Sequence, residues 1–280
     1  MEVGLTIDAS NLGSIDWRAP WLVDLKPIAA PILEVADWRT ALNAAAQERE
    51  LRNHRDLALR FVGQEMLPSN TAYEAFISTS GCVPTRDNLH DFFNSLVWLA
   101  YPRIKKQLNA LQAAEISRSS ATRAIDDAAG STRGKLRDAA TLFDENAALF
   151  VCADGTVTDA LRSHRWIDLF VTQRTAFSRT CSVHLFGHAL MEKLTKPYKA
   201  ITAHAWIVEV DPGFFSMPGE KQRARLDQIV AEQLLHGLTT AHFTPLPVLG
   251  VPGWWSQQDE AFYADQFVFR PKRASRNVAT

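Results

Sequence analysis

Cysteine is scarce in this chain. The 280 residues hold three, Cys82, Cys152 and Cys181, an odd number with no CxxC pair, which argues against a disulfide framework and for a reducing compartment. Other signatures are missing as well. There is no GxSxG, and the nearest cysteine-to-histidine spacing is Cys181 to His184, so nucleophilic catalysis has no pattern to rest on. A P-loop, a GxGxxG and an HExxH are all absent, which leaves nucleotide cofactors and zincin chemistry without sequence support. No apolar run approaches the roughly 20 residues of a membrane span. The opening MEVGLTIDASN has no basic stretch leading into an apolar core, so no secretory signal is expected. Charge of one sign is also lacking: 30 basic residues face 31 acidic ones, and no global field draws nucleic acid or an anionic membrane. These absences predict a cytoplasmic protein whose partners include neither.

What is present describes an ordinary globular chain. Hydrophobic residues make up 46% and charged residues 22%, enough to bury a substantial core without disulfides or metals. Residues 1–38, with Pro20, Pro27, Pro31, Trp17, Trp21 and Trp38, read as an irregular arm anchored by aromatics. From Asp37, a cap candidate, the Ala/Leu/Glu/Arg-rich run to Val62 predicts one helix. Further helices are expected after Asn70 or Thr71 up to Ile77, over Arg86–Ala100, from Pro102, up to Asp144, over Ala160–Arg174 and after Pro218. Short strands are expected at Ala147–Cys152 and Ala205–Val210. The small, polar stretch 116–135 predicts a loop or hinge, Arg103, Lys105 and Lys106 a solvated basic turn, and 274–280 a frayed end. Three prolines shortly before Trp254, Pro245, Pro247 and Pro252, predict an ordered but irregular tail laid across the helices.

Read as a helix, Cys181–Leu194 places His184, His188 and Glu192 at i, i+4 and i+8 on one face, a spacing suited to a metal half-site. The structural alternative is a histidine that packs, a histidine in water and a solvated Glu192. Around Arg86–Ala100, His90, Asn94 and Trp98 repeat the same spacing with Asp91 alongside, and Asp144, Glu145 and Asn146 cluster at a helix end, suited to a cation or a turn.

Four pieces in combination, VPTRDNLHDFFNSLVWLAYPRIKKQLN, DAATLFDENAALF, LFGHALMEKLTKPYKAITAHA and PLPVLGVPGWW followed by FYADQFVFRP, carry a resemblance over nearly the whole chain. It resembles a mainly proteobacterial family known as domain of unknown function 3025. The resemblance implies no activity, ligand or fold, but it directs attention to His90, Asp91, Asn94, Asp138, Asp144, Glu145, His188, Glu192, Lys199 and His204, and away from His184.

The expected fold is α+β and mainly helical, helices around a small sheet of a few short strands in one continuous domain. Residues 1–38 form an arm, 39–244 a helical core and 245–280 a C-terminal wrap. One functional expectation is a metal-assisted hydrolase, with phosphoesters a candidate class, taking a small-molecule substrate. His90, Asp91, His188 and a carboxylate such as Asp138 or Asp144 would bind a divalent metal. Glu192 or Glu145 would be the base, Lys199 or Arg86 would neutralise a substrate oxyanion, and Asn94 and His204 would complete the polar site. The dipeptide His90-Asp91 is similar to the paired ligands of HD-type phosphohydrolases, with His54 upstream, but the flanking FFNSLVWL departs from that pattern. The alternative is a non-enzymatic binding or interaction protein whose polar motifs are structural and whose aromatic tail or Arg103–Lys106 turn meets a partner.

Overall fold

A computed structural model describes residues 12–123 and 133–272. The chain is mainly helical α+β. After an N-terminal stretch, α1 spans Lys26–Leu33 with Pro27 in its first turn, so the arm is less irregular than its prolines suggest. Its tryptophans do anchor it: Trp17 packs on Phe92 and Phe93, and Trp21 on Trp254, so arm and C-terminal segment meet over the same core.

Asp37 caps α2, Trp38–Glu48, by accepting from the backbone N–H groups of Arg39 and Thr40. The helix stops there rather than running on to Val62. Glu50 adopts a left-handed φ of 49°, and the Leu51 N–H reaches back to the Ala46 carbonyl at 3.0 Å, the arrangement that closes helices when a following apolar residue must be buried. Leu51 is that residue, at 9% exposure. The turned chain then forms β1, Arg60–Gly63, parallel to β2, Cys82–Thr85, with α3, Tyr73–Ser80, between them.

Asn88 caps α4, Leu89–Ala100, by accepting from the Asp91 N–H at 2.8 Å. All but His90 of its twelve residues are buried, as expected of a helix apolar on nearly every side. Pro102 opens α5, Pro102–Arg123, and α6 spans Arg133–Asn146. The loop expected at 116–135 is therefore helical at both ends; residues 124–132, Gly130 among them, lie outside the described residues, as does 274–280.

Asp227 closes the N-terminus of α5 from outside, accepting from the N–H groups of Arg103 at 3.0 Å and Ile104 at 2.9 Å. Burial pushes its carboxyl up to about 6, against the pull of those two donors. Because this lies above the ordinary 3.8, the folded state holds the proton longer than the unfolded one, and stability present below pH 4 is lost as pH rises through 6. Asp227→Asn removes that dependence. Urea midpoints at pH 4 and pH 7 are expected to show the variant gaining on wild type by about 3 kcal/mol across the interval, and parallel profiles would contradict this.

The main sheet has the order β4-β3-β5-β6, with β3 at Ala147–Cys152, β4 at Cys181–Leu185, β5 at Thr202–Glu209 and β6 at Phe243–Pro247. Two strands expected from sequence, β3 and β5, pair in parallel as neighbours, although β5 begins three residues earlier than read. β3 is buried along its whole length, consistent with an unbroken apolar run flanked on both sides. β6 was hidden by Pro245 and Pro247. It is an edge strand bonded only to β5, the position at which the missing proline N–H costs no ladder bond.

The expected helix face of His184, His188 and Glu192 does not exist. Cys181–Leu185 is β4, antiparallel to β3, and the helix, α9, begins only at His188 and ends at Lys193. Short apolar runs such as CSVHL carry both periods, and pairing with β3 decided for the strand. His184 consequently faces away, its Nδ1 2.7 Å from Asp24 and its Nε2 2.9 Å from Ser182 Oγ. Similarly, the helix expected at Ala160–Arg174 resolves into α7, Gly155–Arg162, capped by Asp154, then a π turn at Asp168–Thr172 and α8, Arg174–Thr180. The long helix after Pro218 forms as α10, Gly219–Leu234. One buried cluster runs from Ile15 to Phe269. Among the described residues no helix is long and apolar enough to cross a membrane.

Candidate functional site

The site lies where three chain segments of very different sequence position converge. His90 stands in the first turn of α4, placed by the Asn88 cap. Glu145 is the penultimate residue of α6, next to the start of β3. His188 is the first residue of α9, immediately after the β4 corner. That corner is pinned to the α6–β3 junction by two N–H groups, of Phe186 and Gly187, which both donate to the Ala147 carbonyl at 3.1 and 2.8 Å. Gly187 is required there: a Cβ on it would come within 2.5 Å of the Asn146 nitrogen and the Glu145 carbonyl oxygen. The glycine lets His188 and Glu145 become neighbours.

The three side chains point inward at one another. Nε2 of His90 lies 3.0 Å from Nε2 of His188, His188 Nε2 lies 3.3 Å from Glu145 Oε2, and His90 Nε2 lies 3.8 Å from the same oxygen. These three form a group able to hold a metal ion. A tetrahedral ion about 2.0–2.1 Å from each ligand needs ligand atoms about 3.3 Å apart, and the observed edges bracket that value. On its far side His90 Nδ1 is 3.1 Å from Glu192 Oε2. A carboxylate there favours the proton on Nδ1 and leaves the Nε2 lone pair directed into the triangle, the outer-sphere arrangement typical of metal-bound histidine. Nδ1 of His188 is buried with no hydrogen-bond partner, and Asp144 Oδ2 stands 4.0 Å from it.

Charges around the triangle are arranged in pairs. Burial works to lower the His90 value, and the Glu192 hydrogen bond with the charge of Glu145 more than offsets it, so the imidazole titrates above its ordinary value. Glu145 shows the converse: burial raises it, and the His188 hydrogen bond carries it below the usual carboxylate range. Asp144, also pushed up by burial, is held below that range chiefly by Lys105, whose Nζ donates to its two oxygens at 2.6 and 2.9 Å and to Asn94 Oδ1 at 2.9 Å. Asp91 is gripped by Arg86 through three N–H donors at 2.6–2.9 Å. Asn94 in turn donates to the Tyr73 hydroxyl at 3.1 Å.

The triangle forms the floor of a cavity of about 410 Å³. Tyr73, Glu74, Arg86, Gln112, Arg137 and Thr141 contribute to its walls. A larger cleft of about 520 Å³ beside Trp206 and His242 has no carboxylate in its lining and gathers no comparable set.

Sequence reading thus named His90, His188, Glu145, Glu192, Asp144, Asp91, Arg86 and Asn94, which the fold brings to one cavity or its immediate surround. Asp91 is paired with Arg86 and Asp144 with Lys105. Asp138 is exposed and lines no part of the cavity. Lys199 is tied to the C-terminal wrap, with Nζ 2.8 Å from Asp265 and 4.7 Å from the Phe262 ring centre. His204 lies on β5 against Phe243, its Nδ1 without a hydrogen-bond partner, and burial lowers its value. His54 bonds Ser78 Oγ at 2.8 Å, outside the cavity. Lys105, read as part of a solvated turn, is 3% exposed. The signal that would have revealed it is a polar stripe at helical spacing along α5, Lys105, Asn109, Gln112 and Glu115, all buried.

A family model described as a protein of unknown function, DUF3025, matches residues 59–273. The chain belongs to this family. No curated protein and no solved structure matches the chain. The matched span includes every residue of the triangle and of the cavity wall, and excludes the N-terminal arm and the whole of α2.

Proposed function

We propose that the chain binds one divalent metal ion, zinc by preference, through His90 Nε2, His188 Nε2 and Glu145 Oε2, and uses it for hydrolysis. The observation that carries this reading is the triangle itself, with edges of 3.0, 3.3 and 3.8 Å and a carboxylate behind one of its histidines. Two imidazoles and one carboxylate are a ligand set of catalytic zinc, which leaves a fourth position for water or substrate. That position would open to the cavity that all three residues line. The ion would supply Lewis acidity and an acidified water.

The protein's own groups divide the remaining work. Glu192 orients His90. Lys105, itself bound by Asn94 Oδ1, holds Asp144 beside His188, and Arg86 holds Asp91, so the negative charges nearest the triangle stay compensated. Glu74 lines the same cavity, is held by Asn109 Nδ2 at 2.5 Å, and has its carboxyl raised by burial, which suits it to carry a proton nearer neutral pH. Glu192 and Glu145, both engaged, are less suited to that duty.

Protein stripped of metal and reloaded with zinc or manganese is expected to hydrolyse at least one member of a p-nitrophenyl panel comprising the phosphate, the phosphodiester and the acetate. Chelation and Glu145→Gln should each return the rate to the buffer value. A protein that takes up stoichiometric metal yet turns over no ester would remove the hydrolase half of the reading. It would favour a binding role for the same site.

A further inference from the structure

Resting on the metal reading above, we infer that the substrate carries an oxyanion, a carboxylate or phosphoryl group remote from the reacting bond, and that Arg137 recognises it. Most charges in and around the cavity are matched. Arg86 is matched by Asp91, with Nη2 to Oδ1 at 2.9 Å, and Lys105 by Asp144 at 2.6 Å. Glu145 and Glu192 face the two histidines and the metal charge. Glu74 is hydrogen-bonded to Asn109 and its carboxyl is raised by burial. Arg137 lines the same cavity, is exposed, and among the described residues has no carboxylate within ion-pair distance. Among the described residues it is the surplus positive charge of the cavity wall.

Its position on the helix fixes its distance from the chemistry. Arg137, Thr141 and Glu145 occupy i, i+4 and i+8 of α6 and all three line the cavity, so one helix face runs from the metal triangle to the guanidinium. At 1.5 Å per residue, the Cα atoms of Arg137 and Glu145 are about 12 Å apart. The group bound by Arg137 is therefore assigned to a part of the substrate other than the one under attack. It is a handle at the other end of the molecule, with Thr141 positioned along the way to add a hydroxyl contact. A planar five-donor fork is the side chain suited to gripping such an oxyanion in two-point fashion.

Bifunctional probes test this directly. An alkyl hydroxamic acid anchors its metal-binding end at the triangle, and its other end carries a carboxylate, a phosphonate or a neutral primary amide, with a graded series of methylene spacers. Calorimetry on zinc-loaded protein is expected to show the charged probes binding roughly 10- to 100-fold tighter than the amide at one optimal spacer. The carboxylate and phosphonate arms identify which oxyanion is preferred. In Arg137→Gln the advantage should vanish while zinc content and affinity for the amide probe stay as in wild type. Equal binding of charged and neutral probes by wild type would overturn the inference and leave the metal reading intact. A protein that takes up no zinc and binds no hydroxamate would overturn both.

Discussion

His188→Asn protein will purify folded and without its ion. The substitution keeps a small polar residue at the start of α9, where Gly187 and the Ala147 carbonyl fix the corner independently of the imidazole. It removes one vertex of the triangle, the one buried to 3% exposure and shared by the two shortest edges. Structural zinc bound by four ligands is worth roughly 10–16 kcal/mol, so each ligand accounts for about 3 kcal/mol and its loss should weaken binding by on the order of 100-fold or more. Glu192→Gln acts only through His90 and should cost about 10- to 100-fold. His204→Asn, on β5 and outside the cavity, should leave affinity unchanged. A competition titration with a chromophoric chelator ranks the three. If His204→Asn weakened binding as much as His188→Asn, the ion would not be at the triangle.

The second large effect concerns stability. Lys105 is 3% exposed and gives Asp144 both of its charge-assisted hydrogen bonds, while its ammonium lies 5.2 Å over the Trp98 ring. Lys105→Met keeps the stem and its packing but leaves the Asp144 carboxylate without a counter-charge in the same low-dielectric surround. Removing one partner of a buried pair costs about 3–5 kcal/mol, because desolvation of the survivor is no longer offset. Restoring neutrality with Lys105→Met/Asp144→Leu should recover most of the loss, since two matched apolar groups replace two matched charges. Urea denaturation of the two variants and wild type measures both steps. A double variant no more stable than the single one would show that packing, not charge balance, sets the cost.

How much of this was legible beforehand follows from the range of the physics involved. Local signals were strong where one helix turn settles the matter: Asp37, the Pro102 start and the β3 run Ala147–Cys152 were readable because caps, fixed φ and unbroken apolar runs act within a few residues. The reading failed where pairing partners decide. CSVHL became β4 because β3 offered a ladder, and the proline-rich Phe243–Pro247 became β6 because one edge of β5 was free. The site divided along the same line. His90, Glu145, His188 and Glu192 stood out as reactive types inside family pieces, yet nothing in their spacing states that residues 90, 145 and 188 converge, since that depends on Gly187 meeting the end of α6. Lys105 and Arg137, both long cations in charged helices, were indistinguishable from solvated neighbours until burial separated one and the cavity exposed the other.

Metal content of protein purified without an affinity tag, measured by plasma mass spectrometry alongside zinc-edge anomalous scattering from crystals, tests the central claim most directly. The account expects close to one divalent ion per chain, zinc by preference, with its anomalous peak bounded by His90 Nε2, His188 Nε2 and Glu145 Oε2. A chain that holds no ion after incubation with excess zinc, manganese or magnesium and gains no thermal stability from any of them would contradict it. The triangle would then be a hydrogen-bonded piece of the core.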